Sequence, residues 1–170
     1  MRKLTKFFTA ALVATVMTLA PARAAANSTQ TEEEVKATLQ RLYTAAAIAD
    51  IETIDQLFSD DTGTLLLGSD PTEIAVGHEA AVQFWVGLFQ YLKEQGYPNN
   101  GGLKMVSTGG GPIQVDSAGT VAWVTDMAEF QFAGGNTPFR VTAVMHREQG
   151  RWKIIQIHFS VPVPNSALPI

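Results

Sequence analysis

The sequence predicts an α+β fold in which three N-terminal helices lie against a strongly bent antiparallel sheet, forming a cone. Apolar residues recur at helical spacing only up to about residue 95, whereas β-rich runs fill the rest of the chain. Short polar connections join these runs, so successive strands are expected to pair antiparallel. A bent sheet covered by helices encloses a cavity between the two layers, and we expect the functional site there.

Three amphipathic segments predict the helices. Thr31 is expected to cap the first helix, because Glu34 three residues later completes a capping box. This helix then presents one apolar stripe, made of Val35, Leu39, Leu42, Ala46 and Ala49. A short second helix is predicted over residues 51–58. The third is predicted over residues 79–95, with one side made of Val82, Trp85 or Val86, Phe89 and Leu92.

The remaining segments are assigned to strands and turns. Residues 62–67 are strand-like, and the glycine-rich stretch 96–112 is expected to be a loop with at most a brief strand. Further strands are predicted over residues 112–116, 120–132, 138–147 and 151–161. The prolines after Ser160 stop the sheet, because proline cannot continue a ladder except at an edge.

The last two strands form a predicted hairpin that carries the main polar candidates. Side chains alternate with period two along a strand, so Arg140 and Thr142 share one face of the first strand. Gln156 and His158 likewise share one face of the second strand. Together these four side chains predict the polar floor of a pocket. The opposite faces are wholly apolar and consist of Val141, Ala143, Met145, Ile155, Ile157 and Phe159.

The same hairpin resembles the closing strands of SnoaL-like proteins, which belong to the nuclear transport factor 2-like superfamily. The resemblance rests on Arg140 and Thr142 and on residues 152–160. Residues 49–61 and 77–85 are similar to the family's second helix and to the start of its third. In particular, the chain resembles small bacterial proteins similar to the association domain of calcium/calmodulin-dependent kinase II. That domain carries a pocket arginine where this chain has Ala143.

The first residues have the pattern of a cleaved export signal. A basic start at Arg2, Lys3 and Lys6 precedes an uncharged apolar run over residues 7–19, and a small-x-small site ends at Ala24. We therefore expect cleavage near Ala24-Ala25 and a periplasmic or secreted protein. The predicted organisation is a signal peptide over residues 1–24, a flexible leader over 25–31, a SnoaL-like domain over 32–164 and a tail over 165–170.

Charge and composition narrow the classes of partner. The chain has 12 basic and 16 acidic residues, and the predicted cleavage removes four basic residues and no acidic one, which leaves a net charge of −8. An acidic chain without a Lys/Arg cluster disfavours nucleic acid and anionic membrane surfaces as partners. The absence of cysteine excludes disulfides and thiol catalysis. Since the three histidines lack metal-ligand spacing, no metal site is expected. No cofactor is expected either.

Asp126 and His158 are the candidate catalytic residues. Aspartate is disfavoured in strands, and histidine is the side chain that titrates naturally near neutral pH. Two interpretations of Asp126 stay open, a base whose pKa is raised by burial or the ion-pair partner of Arg140. Arg140 in turn either pairs with an acid such as Asp126 or Glu129 or binds an anionic ligand. The predicted ligand-binding residues are Tyr43, Asp61, Trp123, Arg140, Thr142, Gln156 and His158.

Two functions are compatible with these residues. The first is an exported protein that binds a small, partly apolar ligand with one polar or anionic group in the cone, without established catalysis. The second is a cofactor-independent isomerase, dehydratase or polyketide cyclase that uses Asp126 or His158 as a proton shuttle. Convergence of Asp126 and His158 in one cavity favours the enzyme, whereas an ion pair between Asp126 and Arg140 argues against it.

The hairpin also predicts an assembly. If its polar faces line the cavity, its apolar faces look outward and leave a patch that a soluble monomer rarely tolerates. We therefore expect a homodimer joined back to back through the outer face of the sheet, with two-fold symmetry. A glutamate in place of Ile157 would then separate the two copies.

Overall fold

The computed structural model describes residues 19–111, 114–115, 119–132 and 134–167. Its helices are α1 (Leu19–Ala47), α2 (Ile51–Leu57), α3 (His78–Glu94) and a short helical turn, α4 (Pro98–Gly101). Its strands are β1 (Leu65–Leu67), β2 (Ile74–Val76), β3 (Lys104–Gly110), β4 (Gln114–Val115), β5 (Val121–Phe132), β6 (Gly135–Glu148) and β7 (Arg151–Ser160). Helices followed by a bent, mainly antiparallel sheet confirm the predicted α+β fold.

Helix α1 is longer than the sequence predicts. It continues from Leu19 through Thr31, so the N-cap predicted at Thr31 is wrong. The alanines before Thr31 have the highest helix propensity, which favours continuation over a new start. The predicted apolar stripe is confirmed by the burial of Val35, Leu42 and Ala46. Most of the predicted signal peptide lies outside the described residues.

Local hydrogen bonds fix both ends of α2. The Asp50 carboxylate caps the N-terminus by accepting the Thr53 N–H at 3.0 Å and the Thr53 hydroxyl at 2.6 Å. These bonds hold the pKa of Asp50 below its ordinary value. At the other end, Lys153 Nζ donates to the Gln56 carbonyl and places positive charge where the helix dipole is negative. The lysine thereby ties α2 to β7.

Helix α3 covers the sheet with a wide apolar face, as the sequence predicts. Trp85, Phe89 and Leu92 are buried on this face. Val86 is exposed, so Trp85 is the member of the predicted pair that faces inward. Gly96 follows the helix with a φ of +84°, a left-handed conformation that glycine adopts without steric cost.

The strands form one sheet in the order β2-β1-β7-β6-β5-β3, and β4 pairs with β5 next to the end of β3. The pair of β1 with β7 is parallel, and the other described pairs are antiparallel. The register of β3 against β5 shifts between Ser107 and Gly109, and the register of β7 against β6 shifts between Ile154 and Gln156, which pair with Met145 and Val144. Such bulges bend a strand and increase its twist, so they help the sheet to curve around the helices.

Three strands differ from the prediction. Strand β3 occupies a stretch predicted as a loop with at most a brief strand, and β2 was not predicted. Both are edge strands, and β2 is only three residues long, so their sequence patterns are weak. Strand β6 begins before Pro138, at a point where β7 does not yet pair with it. Proline is tolerated there because this part of β6 is an edge. Of the strand predicted over 112–116, residues 114–115 are described, and they form β4.

Aromatic packing holds the core between the helices and the inner face of the sheet. Phe130 and Phe139 stack with ring centroids 3.7 Å apart, and Trp85 meets Phe159 edge-on at 5.9 Å. Such pairs stabilise the core beyond the area that they bury. Within the described part of the chain, no helix has both the length and the apolar character needed to cross a membrane.

Candidate functional site

A buried carboxylate lies on the inner face of the sheet. Asp126 occupies the middle of β5, where its neighbours at period two, Val124 and Ala128, are buried with it. Only 5% of Asp126 is exposed. The ion pairs found among the described residues involve other carboxylates. A carboxylate in this position needs hydrogen bonds to offset its loss of water.

Two hydroxyl groups supply those hydrogen bonds. Tyr43 on α1 donates its phenolic hydrogen to Oδ2 of Asp126 at 2.9 Å. Ser107 on β3 donates from Oγ to Oδ1 at 2.7 Å. Hydrogen bonds to an ionised acceptor are among the stronger ones in proteins. The Asp126 cluster, defined as Asp126, Tyr43 and Ser107, thus joins α1, β3 and β5 at one point.

Tyr43 is held in its protonated form. Burial raises its pKa well above the ordinary value of about 10, and the charge of Asp126 and the hydrogen bond to it raise the pKa further. The phenol is therefore neutral at pH 7 and remains a donor. Asp126 is the acceptor of the pair.

The Asp126 cluster forms one wall of a cavity of about 460 Å³ between α1 and the sheet, here named the Asp126 cavity. Glu33 and Lys36 form an exposed ion pair at 3.0 Å, which places them at its open side. Ala37, Leu39 and Val124 supply apolar wall. The cavity therefore combines an apolar surface with one buried, hydrogen-bonded carboxylate, as small-molecule sites commonly do.

The four polar residues of the last hairpin do not line the cone, and the prediction that they face inward is wrong. Arg140, Thr142 and Gln156 are exposed, and His158 is half-buried on the same outer face of the sheet. They do lie together there, since Thr142 pairs with His158 across β6 and β7.

The apolar residues on the opposite face of the hairpin fill the core instead. Val141, Met145 and Ile157 have no exposed surface, and Ala143 and Phe159 are also buried. Burying one such large side chain stabilises the fold by about 1.5–3 kcal/mol, whereas burying an arginine or a charged histidine without a partner is costly. This balance determines which face of the hairpin meets the helices.

A bulge in β7 breaks the alternation that the sequence suggests. Met145 pairs with Ile154 and Val144 with Gln156, so Ile155 is the extra residue. Ile154 therefore faces inward together with Ile157. Strict period two would have placed Ile154 on the same face as Gln156.

The remaining predicted residues separate in space. Asp126 and His158 lie on opposite faces of the sheet, so they do not converge on one substrate position. Arg140 is exposed and is not the partner of Asp126, whose two oxygens accept from hydroxyls. Trp123 is 46% exposed on the outer face, and Asp61 is exposed at the corner between α2 and β1. Neither Trp123 nor Asp61 lines the Asp126 cavity.

Sequence reasoning missed Ser107, because it lies in the stretch predicted as a loop. It also missed a second polar cluster, in which buried Ser59 donates to Glu148 at 2.5 Å and His146 Nε2 contacts both of them. The same imidazole nitrogen meets the serine and the carboxylate, so this is not a nucleophilic triad. The cluster of Ser59, His146 and Glu148 ties the corner after α2 to the end of β6. No metal-binding group of histidine, aspartate and glutamate occurs among the described residues.

Helices packed against a bent, open sheet with a cavity between them define the nuclear transport factor 2-like class of folds, also described as cystatin-like. The chain belongs to the SnoaL-like domain family, which it matches over residues 35–164. This match includes the whole Asp126 cluster and the last hairpin. The resemblance inferred from the hairpin is thereby confirmed. No curated protein matches the chain.

Solved structures share this fold at low sequence identity. A nuclear transport factor 2-like superfamily protein from Salmonella enterica serovar Typhimurium is 16% identical, with a TM-score of 0.64 over 84% of this chain and 99% of that one. A nuclear transport factor 2-like protein of unknown function from Pseudomonas putida is 20% identical, with a TM-score of 0.60 over 81% and 90%. A Xanthomonas campestris protein named for a likeness to the calcium/calmodulin-dependent protein kinase II association domain is 20% identical, with a TM-score of 0.57 over 78% and 87%. These similarities show the fold alone.

Proposed function

We propose that this chain is an exported protein that binds a small, partly apolar ligand in the Asp126 cavity, with no established catalysis. One observation carries the proposal: a buried carboxylate, held by Tyr43 and Ser107, forms a wall of a cavity of about 460 Å³. An ionised carboxylate offers about four acceptor positions, and the two hydroxyls occupy two of them. The cluster therefore has capacity for a hydroxyl or amine donor on an apolar ligand.

The geometry narrows the polar group expected on that ligand. An anionic group was expected because Arg140 was predicted to line the cavity, and Arg140 lies on the outer face. A ligand anion would instead meet the carboxylate of Asp126. A neutral or cationic hydrogen-bond donor matches the Asp126 cavity better than an anion does.

A thermal-shift comparison tests the binding proposal. Benzyl alcohol carries a hydroxyl donor, whereas benzyl methyl ether has a similar apolar body without one. A ligand at ten times its Kd stabilises the native state by about 1.4 kcal/mol, so benzyl alcohol should raise the Tm of the purified protein by a few degrees and the ether should not. Asp126→Asn should abolish this difference, whereas Asp61→Asn, which changes an exposed carboxyl outside the cavity, should keep it. Equal responses to the two compounds in the unsubstituted protein would refute the proposal.

Export is part of the same proposal. It is supported by the basic start, the apolar run and the small-x-small site of residues 1–24. We expect the protein recovered from a periplasmic or culture fraction to begin near Ala25, as measured by intact mass. Recovery of the full-length chain from the cytoplasm alone would contradict export.

A specific observation favours an enzyme as the second candidate. Asp126 and the Tyr43 hydroxyl lie 2.9 Å apart on one cavity wall, so a base lies beside a phenol whose one hydrogen would turn from Asp126 to a substrate oxygen. Such a pair suits proton transfer next to a carbonyl, the chemistry of isomerases, dehydratases and cyclases. His158 plays no part in this version, because it lies on the outer face.

Hydrogen exchange at a simple ketone distinguishes the two candidates. If Asp126 removes protons next to a carbonyl, the protein should accelerate deuterium uptake by cyclohexanone in D2O, followed by proton NMR. Asp126→Asn should remove the acceleration. An exchange rate equal to that of buffer would leave binding as the better proposal.

We also propose that two copies associate through the outer face of the sheet. The hairpin residues first expected there are buried, so the support now comes from other side chains. Ile74 and Val76 on β2 and Trp123 and Met127 on β5 are large apolar residues, 41–65% exposed, and all lie on this face. Exposed apolar groups on one broad surface are typical of an interface.

A further inference from the structure

A second cavity, of about 200 Å³, opens between α3 and the turn that joins β1 to β2. Among the described residues, it shares no lining side chain with the Asp126 cavity. Glu73 is the one charged residue among those described that line it, so no lysine, arginine or histidine faces this carboxylate from the walls. We name it the Glu73 cavity. Six of its lining residues are aromatic, namely Phe84, Trp85, Tyr97, Phe130, Phe132 and Phe159.

The pairing of β1 with β2 places the Glu73 side chain on the cavity side of the sheet. Leu66 and Ala75 pair across the two strands and are both buried, so they point inward. Gly68 and Glu73 lie two positions further along, and the Gly68 N–H donates to the Glu73 carbonyl at 2.8 Å. Because side chains alternate along a strand, Glu73 shares the inward face with Ala75, whereas Ile74 between them is 62% exposed.

Gly68 makes room for this carboxylate. A Cβ at Gly68 would lie 2.7 Å from Cδ of Glu73, closer than unbonded carbon atoms approach, so the Glu73 side chain lies directly against Gly68. Gly68 itself lines the cavity. Oε2 of Glu73 accepts the Asp70 N–H at 2.9 Å, and Oε1 has no hydrogen-bond partner among the described residues. The turn therefore holds a half-buried carboxylate at the cavity wall and leaves acceptor capacity on Oε1.

The walls of the Glu73 cavity favour a cation with an apolar body. The Glu73 carboxylate attracts an ammonium group, and the faces of aromatic rings also attract cations. An anion would be repelled by Glu73, and a purely apolar ligand would cover the carboxylate without pairing it. The aromatic and aliphatic walls in turn favour an apolar body, because both surfaces leave water together.

The size of the cavity limits that body. An apolar cavity of about 150 Å³ is known to hold one benzene ring, so about 200 Å³ suits a single ring with a short substituent. We infer that the Glu73 cavity binds a small aromatic amine in its ammonium form, with the charge against Glu73 and the ring among the aromatic side chains, as a site separate from the Asp126 cavity.

Benzylamine and benzyl alcohol form a matched pair of probes, since they share ring and length and differ in charge at pH 7. In a titration of the purified, nitrogen-15-labelled protein, the backbone amide resonances of Gly68 and Glu73 report on this cavity. Benzylamine should move them and should bind there about ten-fold tighter than benzyl alcohol, the order expected for a partly exposed ion pair acting together with a cation–π contact. No movement of these resonances with benzylamine, or equal affinity of the two probes measured at them, overturns the inference.

Glu79 provides the matched control, because it is an exposed glutamate on α3 that does not line this cavity. Glu73→Gln should remove the preference for benzylamine, and Glu79→Gln should keep it. A preference that survives Glu73→Gln overturns the inference, since Glu73 would then only stabilise its turn. Should Glu73→Gln fail to fold, the titration of the unsubstituted protein still decides the outcome. Asp126→Asn should leave benzylamine binding at the Gly68 and Glu73 resonances unchanged, so failure here and failure of the proposed function are separate results.

Discussion

Among the described residues, two hydroxyl donors and no cation hold Asp126 in the core. Tyr43 and Ser107 each satisfy one carboxylate oxygen, so the charge is distributed over strong hydrogen bonds at 2.9 and 2.7 Å. An ion pair with an arginine would have used both oxygens in a bidentate contact. The observed arrangement leaves acceptor positions that the two hydroxyls do not use, so the same residue can serve both the structure and the proposed site.

Tyr43→Phe tests how much the cluster stabilises the fold. Loss of a hydrogen bond to a charged group should lower the free energy of unfolding by about 1.5–3 kcal/mol at pH 7. Because the pKa of Tyr43 is raised in the folded state, the unfolded chain loses this proton first, and stability falls as pH rises above about 10. Urea unfolding between pH 7 and 11 should therefore show a shallower alkaline loss for Tyr43→Phe. Tyr91→Phe, at an exposed tyrosine, should behave like the unsubstituted protein; parallel pH curves for all three proteins would contradict the assignment.

Glu148→Gln tests the second polar cluster in acid. Burial opposes ionisation, but hydrogen bonds from Ser59 and His146 and nearby positive charge hold the pKa of Glu148 below its ordinary value. This stabilisation is present above the unfolded pKa of about 4.3 and is lost as pH falls through the folded pKa. Glu148→Gln should cost about 1 kcal/mol at pH 7, and the cost should shrink below pH 4. Glu94→Gln on the exposed end of α3 is the control, and a cost that stays constant down to pH 3 would count against this account.

Part of this residue-scale picture could be predicted from the sequence. Asp126 could be identified as a candidate site residue, because aspartate is disfavoured in strands and this one lies in the middle of an apolar strand. Its partners were not, since Tyr43 is 83 residues away and Ser107 is 19 residues away across a sheet edge. The sequence predicts Tyr43 as a ligand-binding residue, but its contact with Asp126 depends on how α1 packs on the sheet.

At the scale of elements, the bulge at Ile155 explains why the alternation in β7 was misread. A regular strand keeps one face for every second residue, and the sequence around Ile155 offers no glycine that would indicate an irregularity. The bulge lets Trp152 and Ile154 reach the core on one side of Ile155, and Ile157 and Phe159 reach it on the other. The free energy gained by burying these four large side chains exceeds the cost of leaving one residue, Ile155, unpaired between the strands.

Gly101 holds the connection between α3 and β3 in a conformation that only glycine fits. Its φ is +86°, and a Cβ there would lie 1.9 Å from the carbonyl oxygen of Phe89. Gly101→Ala should therefore destabilise the protein by about 3 kcal/mol or more. Gly96→Ala is the matched control, because Gly96 also has a positive φ, +84°, but open space around it. Its cost should be about 1 kcal/mol from conformation alone. Thermal unfolding of the two variants measures the difference, and equal Tm values would show that the Phe89 contact is unimportant.

At the scale of the whole molecule, the order of elements could be predicted and the polarity of the sheet could not. Helical and strand periodicity follow from local spacing, so the cone with its helices first was predictable. Which sheet face meets the helices depends on the total apolar area of both faces after bulges are included. The outer face carries Arg140, Thr142 and His158 along its middle and apolar side chains toward β2 and β5. Ile157 is fully buried, so a glutamate there is expected to unfold the protein and does not report on assembly.

A test of the proposed dimer therefore requires substitutions at exposed positions of the outer face. Val76 is 65% exposed and Trp123 is 46% exposed, near opposite edges of the sheet, so Val76→Glu combined with Trp123→Glu places charge at both ends of an apolar interface. Light scattering at micromolar concentration should give the mass of two chains for the unsubstituted protein and of one chain for this variant, because unpaired charges oppose burial. Ile48→Glu, at a residue 59% exposed between α1 and α2, should keep the dimer mass. A monomer mass for the unsubstituted protein would refute the assembly, and so would a dimer mass for the double variant, since the copies would then join through another surface.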